Sequence, residues 1–433
     1  MQRLPRLSNQ MAVISLILIC ATYCVNAMDR IVFPVLLPAV AKEYNFALSN
    51  GGLLATIFTL GLGLTGIPGG YLFDKMSRKA VAVLGIVIYS ICTILTATSI
   101  GFWDMAAYRA VSGVGEALQN MAIFTLAGAY FVKNRTLAMA MLNVAYGVGA
   151  FIAPRWGSAL MVAYDSWRVP LYVFGVVGLV GAVVAMFISK RFTEQVGLVT
   201  EQDAANEQHI PDSLINRNTL FLAIATICSG LANFAYLGLY PTFLDSMLHF
   251  TKPETAAAAS MYGIGALMAI PFGFLADRVS QKYLQIFAMV LTAASGYAIF
   301  NVATTVETQE ALSFIMGMAV SGIIYVNGYS LMQRAVRAKI AGRASGLFVC
   351  VFYMSAASSG YIFAQLKGAY GWGDGALIIE TLQMGIGIVA LMFLDMSKTS
   401  ANKTSANRTS ANKTSANPSD LTQPLVKAKV REA

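Results

Sequence analysis

Long apolar stretches separated by short polar connectors make up most of the chain. A helix needs about 20 largely apolar residues to cross a bilayer. Twelve segments meet this requirement, near residues 11–40, 49–73, 80–99, 103–131, 137–163, 167–189, 219–246, 255–276, 283–303, 310–333, 344–366 and 375–395. The pattern therefore predicts an all-α membrane protein of about 12 transmembrane helices. The first segment has no small-residue cleavage site, so we interpret it as an uncleaved helix.

The longest polar connector lies between the sixth and seventh segments and divides the chain into two groups of six. We predict an N-terminal six-helix half over 1–189, a cytoplasmic linker over 190–218, a C-terminal six-helix half over 219–395 and a tail over 396–433. The tail repeats a Thr-Ser-Ala-Asn-Lys/Arg unit and has almost no bulky apolar residues. We expect it to be disordered, because it has too little apolar surface to fold.

Composition supports burial in lipid. Hydrophobic residues make up 57% of the chain and charged residues only 12%, whereas an average soluble domain has about 25% charged residues. The net charge of +9 is carried by connectors and the tail rather than by one basic face, so we expect no nucleic-acid partner. The cysteines lie inside apolar runs without the spacing of a metal site, and we expect neither a metal nor a cofactor. They are Cys20, Cys24, Cys92, Cys228 and Cys350.

Lysine and arginine in the connectors orient the bundle, because cytoplasmic loops carry an excess of both. Most of them lie on one side, and the other side has only Lys42, Arg168, Lys252 and Lys367. We predict a multi-pass protein of the cell inner membrane with both termini in the cytoplasm. The four tryptophans fall at the predicted outer ends, as an interfacial aromatic belt requires. They are Trp103, Trp156, Trp167 and Trp372.

A short motif occurs once in each half. The sequence GYLFD ends the second segment and GFLAD ends the eighth, 203 residues later, and a basic loop follows each. G-x-L-x-D-x-x-x-R-K resembles the signature loop of the major facilitator superfamily, although the first copy departs from it at Ser77 and the second at Gln281. The resemblance implies two six-helix pseudo-repeats around a central substrate site. It also implies a gating role at the cytoplasmic face, the alternative being a charged turn that only sets topology. The residues concerned are Gly70, Asp74, Arg78, Lys79, Gly273, Asp277 and Arg278.

Four charged residues lie well inside predicted spans, away from the span ends, where an ionisable side chain costs several kcal/mol and usually has a function. Asp29 and Arg30 are in the first span, and Arg109 and Glu116 are in the fourth. Arg109 and Glu116 are about two helical turns apart and share a face, which Asn120 extends by one turn. Loss of hydration favours the protonated form of a buried carboxylate, and a nearby arginine opposes this. The alternative is a static pair of Arg109 with Glu116 or of Asp29 with Arg30.

The Asp29-Arg30 pair and the R-x-x-x-G-x-G-E stretch ending at Glu116 resemble the anion:cation symporter branch of the superfamily, which includes sugar-acid and sialic-acid transporters. The SGVGEA stretch around Glu116 is also similar to the spinster lipid transporters. The resemblance implies that Asp29 and Glu116 carry protons. It further implies that Arg30 or Arg109 binds the carboxylate of the substrate.

Other polar residues within the spans are weaker candidates for lining a cavity, because each also suits a helix–helix hydrogen bond. The candidates are Asn120, Asn143, Tyr146, Asn233, Tyr236, Tyr325, Asn327, Tyr329 and Tyr353. Arg155 and Glu380 lie near the predicted outer ends of spans five and twelve. We expect both to reach towards the interface.

Together these patterns predict a proton-coupled symporter that imports a small organic anion, such as a sugar acid or an aromatic carboxylate, by alternating access. Its partners would be the anion, protons and the lipid bilayer, with the proton gradient as energy source and a monomer as the working unit. The alternative is an exporter or exchanger of drugs, vitamin-like aromatics or lysolipids. The sequence has no H-E-x-x-H or G-x-S-x-G motif, which argues against a membrane enzyme. Single charges in a two-fold repeat argue against a ring-lined channel.

Overall fold

A computed structural model describes residues 7–131, 135–193, 209–276, 278–337 and 340–399. Within these ranges the chain is helical without strands, and nine helices are long and apolar enough to span a membrane. One of them, 346–392, makes two crossings, because the chain turns at Gly371, where φ is 85°. Helices Phe102–Tyr130 and Arg135–Tyr164 are also long enough to cross. The described ranges thus contain 12 membrane helices, and each predicted segment falls on one of them.

We label these helices α1 to α12 in chain order. Two of them contain a π-helical segment, Met318–Tyr325 in α10 and Leu377–Leu382 in α12. The bounds are α1 (Asn9–Tyr44), α2 (Leu48–Thr56 and Phe58–Lys75), α3 (Arg78–Ala97), α4 (Phe102–Tyr130), α5 (Arg135–Tyr164), α6 (Arg168–Met186), α7 (Arg217–Ser246), α8 (Lys252–Ala266 and Ala269–Ala276), α9 (Gln281–Asn301), α10 (Val306–Gly317, Met318–Tyr325 and Val326–Arg334), α11 (Ala341–Ala357 and the part of Ser359–Ala376 before Gly371) and α12 (the rest of that helix, Leu377–Leu382 and Gln383–Met392). Short helices Lys190–Thr193 and Met396–Lys398 follow α6 and α12.

Polar side chains cap the helices where they begin. The hydroxyl of Ser77 accepts a hydrogen bond from the backbone at the start of α3, and the side chain of Asn216 does the same for α7. At the start of α8, Thr251 and Glu254 form a reciprocal capping box. These residues satisfy backbone N–H groups that have no partner within the helix, so they fix where each apolar segment starts.

The two halves repeat one close helix contact. Gly61 of α2 packs on α4, and a Cβ atom on Gly113 of α4 would overlap the carbonyl oxygen of Phe58. Gly265 of α8 and Gly317 of α10 make the same contact 204 residues further on. Small residues allow the backbones of membrane helices to approach this closely. The pseudo-repeat predicted from the loop motifs is therefore present as a repeated packing geometry.

The loop lysine of each half binds the end of the last helix in its own half. Lys79 Nζ donates to the carbonyl oxygens of Met186 and Ile188 after α6. Lys282 Nζ donates to those of Met392 and Leu394 after α12, at 2.7 and 3.0 Å. A cation at a helix C-terminus satisfies free carbonyl groups and complements the helix dipole. Each loop thus holds together the helices of one half.

The other predicted gating residues give less information. Gly70 and Asp74 are within α2, but their side chains lie outside the described part of the structure, as does Asp277. Arg278 is exposed in the loop after α8, and a Cβ atom on Gly273 would meet nothing within 4 Å. The gating role therefore stays a prediction. So do the boundaries of the linker and the tail, where 194–208 and 400–433 are outside the described residues.

Helices α2 and α11, α5 and α8, and α1 and α7 pack together and join the halves. The closest approach is between Gly52 of α2 and Gly360 of α11, where a Cβ atom on either residue would overlap the carbonyl oxygen of the other. One turn further, the Thr56 hydroxyl donates to the Ala357 carbonyl oxygen at 3.0 Å. The halves are thus in backbone contact near the end of the bundle that holds the α1–α2 connection.

The expectation that Glu380 reaches towards the interface was wrong, whereas the same expectation for Arg155 stays a prediction. The Arg155 guanidinium lies 4.2 Å from the ring centroid of Phe151 and donates to the Ser260 hydroxyl of α8, which ties the halves together. Glu380 is 0% exposed. Its helix begins at about Trp372, so Glu380 lies about 12 Å along the helix axis from that start. There it packs on α9 instead of pointing outward.

We predict that Gly113→Ala lowers the melting temperature of the detergent-purified protein. Its Cβ atom would overlap the Phe58 carbonyl oxygen, so α2 and α4 must separate, and overpacking of this kind costs about 1–3 kcal/mol. The control is Gly385→Ala on α12, where a Cβ atom meets nothing within 4 Å. Equal melting temperatures for the two variants would contradict the packing account.

Candidate transport site

A buried ion pair joins α1 to α4 in the middle of the bundle. Arg30 Nε lies 2.5 Å from Glu116 Oε2, and the two side chains are 4% and 1% exposed. Charges at this burial are tolerated only when they are paired, because dehydration of a single ion costs several kcal/mol. The pair connects two helices and differs from both static pairs considered from the sequence. Glu116 therefore neutralises an arginine from another helix.

Asp29 lies beside this pair on α1. Its carboxylate accepts a hydrogen bond from the Thr93 hydroxyl of α3 and lies within hydrogen-bonding reach of the Glu116 carboxyl group. Two adjacent buried carboxyl groups carry charge together only when cations lie beside them, and here Arg30 and Arg109 do. Asp29 and Glu116 thus form one electrostatically coupled group, and their predicted role as proton carriers stays a prediction.

Arg109 is directed at the backbone of a neighbouring helix. Its Nε donates to the Leu54 carbonyl oxygen at 2.6 Å, and Nη2 lies 3.5 Å from the Ala55 carbonyl oxygen. Both carbonyl groups precede the break in α2 between Thr56 and Phe58. The guanidinium also lies 4.0 Å from the ring centroid of Phe33 on α1. Arg109 therefore uses its hydrogen bonds and its flat face to hold α1, α2 and α4 together.

Arg30 has unused hydrogen-bonding capacity. Nε is engaged by Glu116 and Nη1 lies 3.5 Å from the Tyr353 hydroxyl of α11, while Nη2 is buried without a hydrogen-bond partner among the described residues. The Tyr353 hydroxyl lies 3.3 Å from that of Tyr325 on α10. A guanidinium presents several donors in a fixed fork that matches a carboxylate. Arg30 of the N-terminal half therefore faces two hydroxyl groups of the C-terminal half, and its Nη2 donors are free to bind an anion.

Three of the weaker candidates lie around this cluster. Asn120 donates to the Tyr23 hydroxyl at 3.1 Å, and the ring of Tyr146 lies 6.3 Å from that of Tyr23. Tyr146, Tyr23 and Tyr353 are all close enough to Arg30 to interact with its charge. The structure thus brings Asn120, Tyr146 and Tyr353 to one place.

Apart from Tyr325, which lies beside Tyr353, and Asn143 of the N-terminal half, the remaining candidates make helix–helix contacts in the C-terminal half. Asn233 accepts from the Tyr262 hydroxyl at 2.8 Å, and the Tyr236 hydroxyl lies 2.8 Å from that of Ser313. Asn327 donates to Gln285 and to the backbone of Gln281. Tyr329 packs edge-on against Phe348. Asn143 lies within α5 and also has an interaction partner.

Sequence reasoning missed several polar residues of the cluster. Asn26 donates to Gln119 at 2.9 Å, and Gln119 donates to Thr22 at 3.2 Å, which links α1 and α4 a second time. Tyr23 and Thr93 were missed as well. A signal was present, because Thr22 precedes Asp29 by seven residues and Tyr23 precedes Arg30 by seven. Two turns separate each pair, so the polar residues recur on the same faces of α1.

The family model of the Major Facilitator Superfamily matches this chain over residues 19–361 and 222–428. The chain belongs to the major facilitator superfamily. Its relatives include the cis,cis-muconate transport protein of Acinetobacter baylyi, 24% identical over 62% of this chain and 67% of that protein. A protein described as a probable sulfoacetate transporter of Cupriavidus necator is 22% identical over 87% of this chain and 92% of its own.

A solved structure has the same fold. It is a bacterial homologue of the human lysosomal transporter Spinster in an inward-facing, occupied conformation. Its TM-score is 0.70, at 14% identity over 89% of this chain and 96% of that one. The predicted major facilitator fold, the multi-pass topology and the interpretation as a transporter rather than an enzyme are confirmed. The likeness to the spinster proteins is confirmed as well.

We predict that Arg109→Lys destabilises the protein more than Arg30→Lys does. A lysine at 109 keeps the charge but loses the flat stacking face and the fork aimed at two carbonyl groups, and charge-assisted bonds of this kind contribute about 1.5–3 kcal/mol. A lysine at 30 still neutralises Glu116. The test compares melting temperatures in detergent without substrate. A larger loss for Arg30→Lys would show that Arg109 is not the structural arginine.

Proposed function

We propose that this transporter is a proton-coupled symporter that imports a small organic anion by alternating access. The observation that carries the proposal is the buried Arg30–Glu116 pair with free donors on Arg30. Relatives described as carrying cis,cis-muconate and sulfoacetate, which are organic anions, support the substrate class.

Charge balance provides the coupling. Asp29, Arg30, Arg109 and Glu116 formally sum to zero when all four are ionised. A proton on Glu116 removes the negative partner of Arg30 and leaves one uncompensated positive charge. A buried charge of this kind requires a new partner, and the carboxylate of the substrate takes that place. The site is then neutral again, with one proton and one monovalent anion bound.

The same balance decides which states cross the membrane. The empty, deprotonated site and the site that holds both proton and anion are neutral, so both can be enclosed by the two halves. A site with only one of the two carries net charge, and enclosing it costs several kcal/mol. Because Tyr353 of the other half lies at Arg30, an anion bound there contacts both halves. Substrate and proton therefore move together.

The two arginines have different roles in this proposal. The donors of Arg109 are occupied by the carbonyl groups of Leu54 and Ala55, so it serves as a fixed positive charge beside Asp29. Arg30 is the anchor for the substrate carboxylate. Asp29 accepts a hydrogen bond from the Thr93 hydroxyl and binds the proton jointly with Glu116.

The first experiment uses purified protein in liposomes that contain a pH-sensitive dye. Sugar acids, aromatic acids, dicarboxylates and lysolipids are added outside one at a time. We expect a proton influx that depends on one class of carboxylate. Exchange of labelled substrate without any proton movement would instead establish the alternative, an exchanger or exporter.

We predict that Glu116→Gln abolishes accumulation driven by a pH gradient but retains exchange of labelled substrate. Glutamine resembles the protonated acid, so Arg30 stays free to bind the anion while the proton is never released. Glu43→Gln is the matched control, because Glu43 pairs with Arg168 at a solvent-exposed site with a distance of 2.6 Å. Wild-type accumulation by Glu116→Gln would make Glu116 a structural residue.

We predict that Arg30→Lys weakens substrate binding at least about tenfold, because an ammonium group lacks the fork that binds a carboxylate through two bonds. Binding is measured by calorimetry on the detergent-purified protein. Correctly folded Arg109→Lys should bind with near wild-type affinity. The reverse order of affinities would assign the anchor to Arg109.

A further inference from the structure

Glu380 is a second buried carboxyl group, and the transport site described above does not use it. It lies in the π-helical segment Leu377–Leu382 of α12 and is 0% exposed. Neither of its carboxyl oxygens has a hydrogen-bond partner within the described residues. Its side chain lies against Gly296 of α9, where only a glycine leaves room for it. An unpaired carboxylate is not stable in such surroundings, so Glu380 holds a proton in this conformation.

No charged side chain compensates Glu380 from the helices packed against it. On α7 it lies beside both the backbone amide and the phenol of Tyr236, the phenol being bonded to Ser313, and Cys228 lies further along that helix. On α9, Tyr297 is next to Gly296 in sequence but is 44% exposed on the outside of the bundle. On α11, Lys367 lies over the ring of Trp372. The carboxyl group is thus surrounded by neutral groups in the described structure.

The fold does not require an acid at this position. The corresponding contact of the N-terminal half, between α3 and α6, is made by Gly175 and Gly178 against Ser90. The carboxyl group of Glu380 makes no hydrogen bond within the described residues. Its neighbours Thr381 and Gln383 instead donate hydrogen bonds to carbonyl groups of α9 and α7. π-Helical turns are rare and occur often at functional sites. A buried acid without hydrogen-bond partners lowers the stability of the fold. Its presence on a π-helical turn therefore indicates that it has a function.

We propose that Glu380 is a second proton-binding site, separate from the Arg30–Glu116 pair, and that it exchanges its proton with water during the transport cycle. The O–H bond of the neutral acid breaks when a rearrangement of α9 and α12 admits water, and that water takes the proton and hydrates the carboxylate. The carboxylate stays hydrated while the transporter changes the side to which it is open, and reprotonation from that other side restores the neutral, packed state. This second step rests on the proton coupling proposed above, and it adds one proton to each cycle.

Infrared spectroscopy of the lipid-reconstituted protein tests the site directly, without substrate. Wild type is expected to show a neutral-carboxyl C=O band at mildly alkaline pH that shifts when the sample is transferred to D2O. The band should be absent in Glu380→Gln and present in Glu43→Gln. A band unchanged by Glu380→Gln, or one that does not shift after transfer to D2O, would overturn the proposal.

Stoichiometry tests the role in transport. The ratio of protons to substrate, measured in the dye-loaded liposomes, should be lower by one in Glu380→Gln than in wild type. Glu380→Met should show the same loss with a higher melting temperature, because it removes an unsatisfied polar group. An unchanged ratio in a variant that has lost the band would reduce Glu380 to a fixed structural acid. If wild type moved no protons with any substrate, the proposed symport would fail, while the deuterium measurement would still decide whether Glu380 exchanges its proton.

Discussion

The buried pair of Arg30 and Glu116 is the interaction on which the rest of the site depends. It places opposite charges from α1 and α4 at 2.5 Å in an apolar environment. The surrounding polar groups then follow, because each buried charge needs partners. Thr93 donates a hydrogen bond to Asp29, and a carbonyl group of α2 accepts one from Arg109. The Tyr353 hydroxyl of the second half lies next to Arg30. The Arg30 guanidinium is thus one of the groups that touch both halves of the protein.

The fold was predictable from the chain because lipid imposes a simple length rule on apolar segments. The twelve segments, the break into two groups of six and the repeated loop motif all depend on local patterns. Two details were not visible in such patterns. No sequence pattern distinguishes the π-helical segments of α10 and α12 from the α-helical turns beside them, and Gly371, where the chain turns, is one of 37 glycines. Helix packing, which the single chain does not reveal, decides both.

The site was predictable in its members but not in its pairing. Asp29, Arg30, Arg109 and Glu116 stood out because charge is rare within a span. Which acid meets which base depends on how α1 and α4 are rotated against each other, and that rotation is set by contacts such as Gly113 on α2 and Gly85 on Gly115. The same limit explains the error at Glu380. The expectation that Glu380 lies near the interface rests on its distance to the predicted end of the helix. That distance does not show in which direction the side chain points.

The contact between Gly52 and Gly360 has a mechanical consequence. Backbone rests on backbone there, so the contact is hard and cannot be compressed by a change of rotamer. Further along α2, Gly63 meets the flexible side chain of Met354, which can yield. Backbone also meets backbone between the halves at Gly263 of α8, which packs on α5. Any tilt of one half against the other therefore pivots on these hard contacts, and the distance of a residue from them along α2 sets how far it moves.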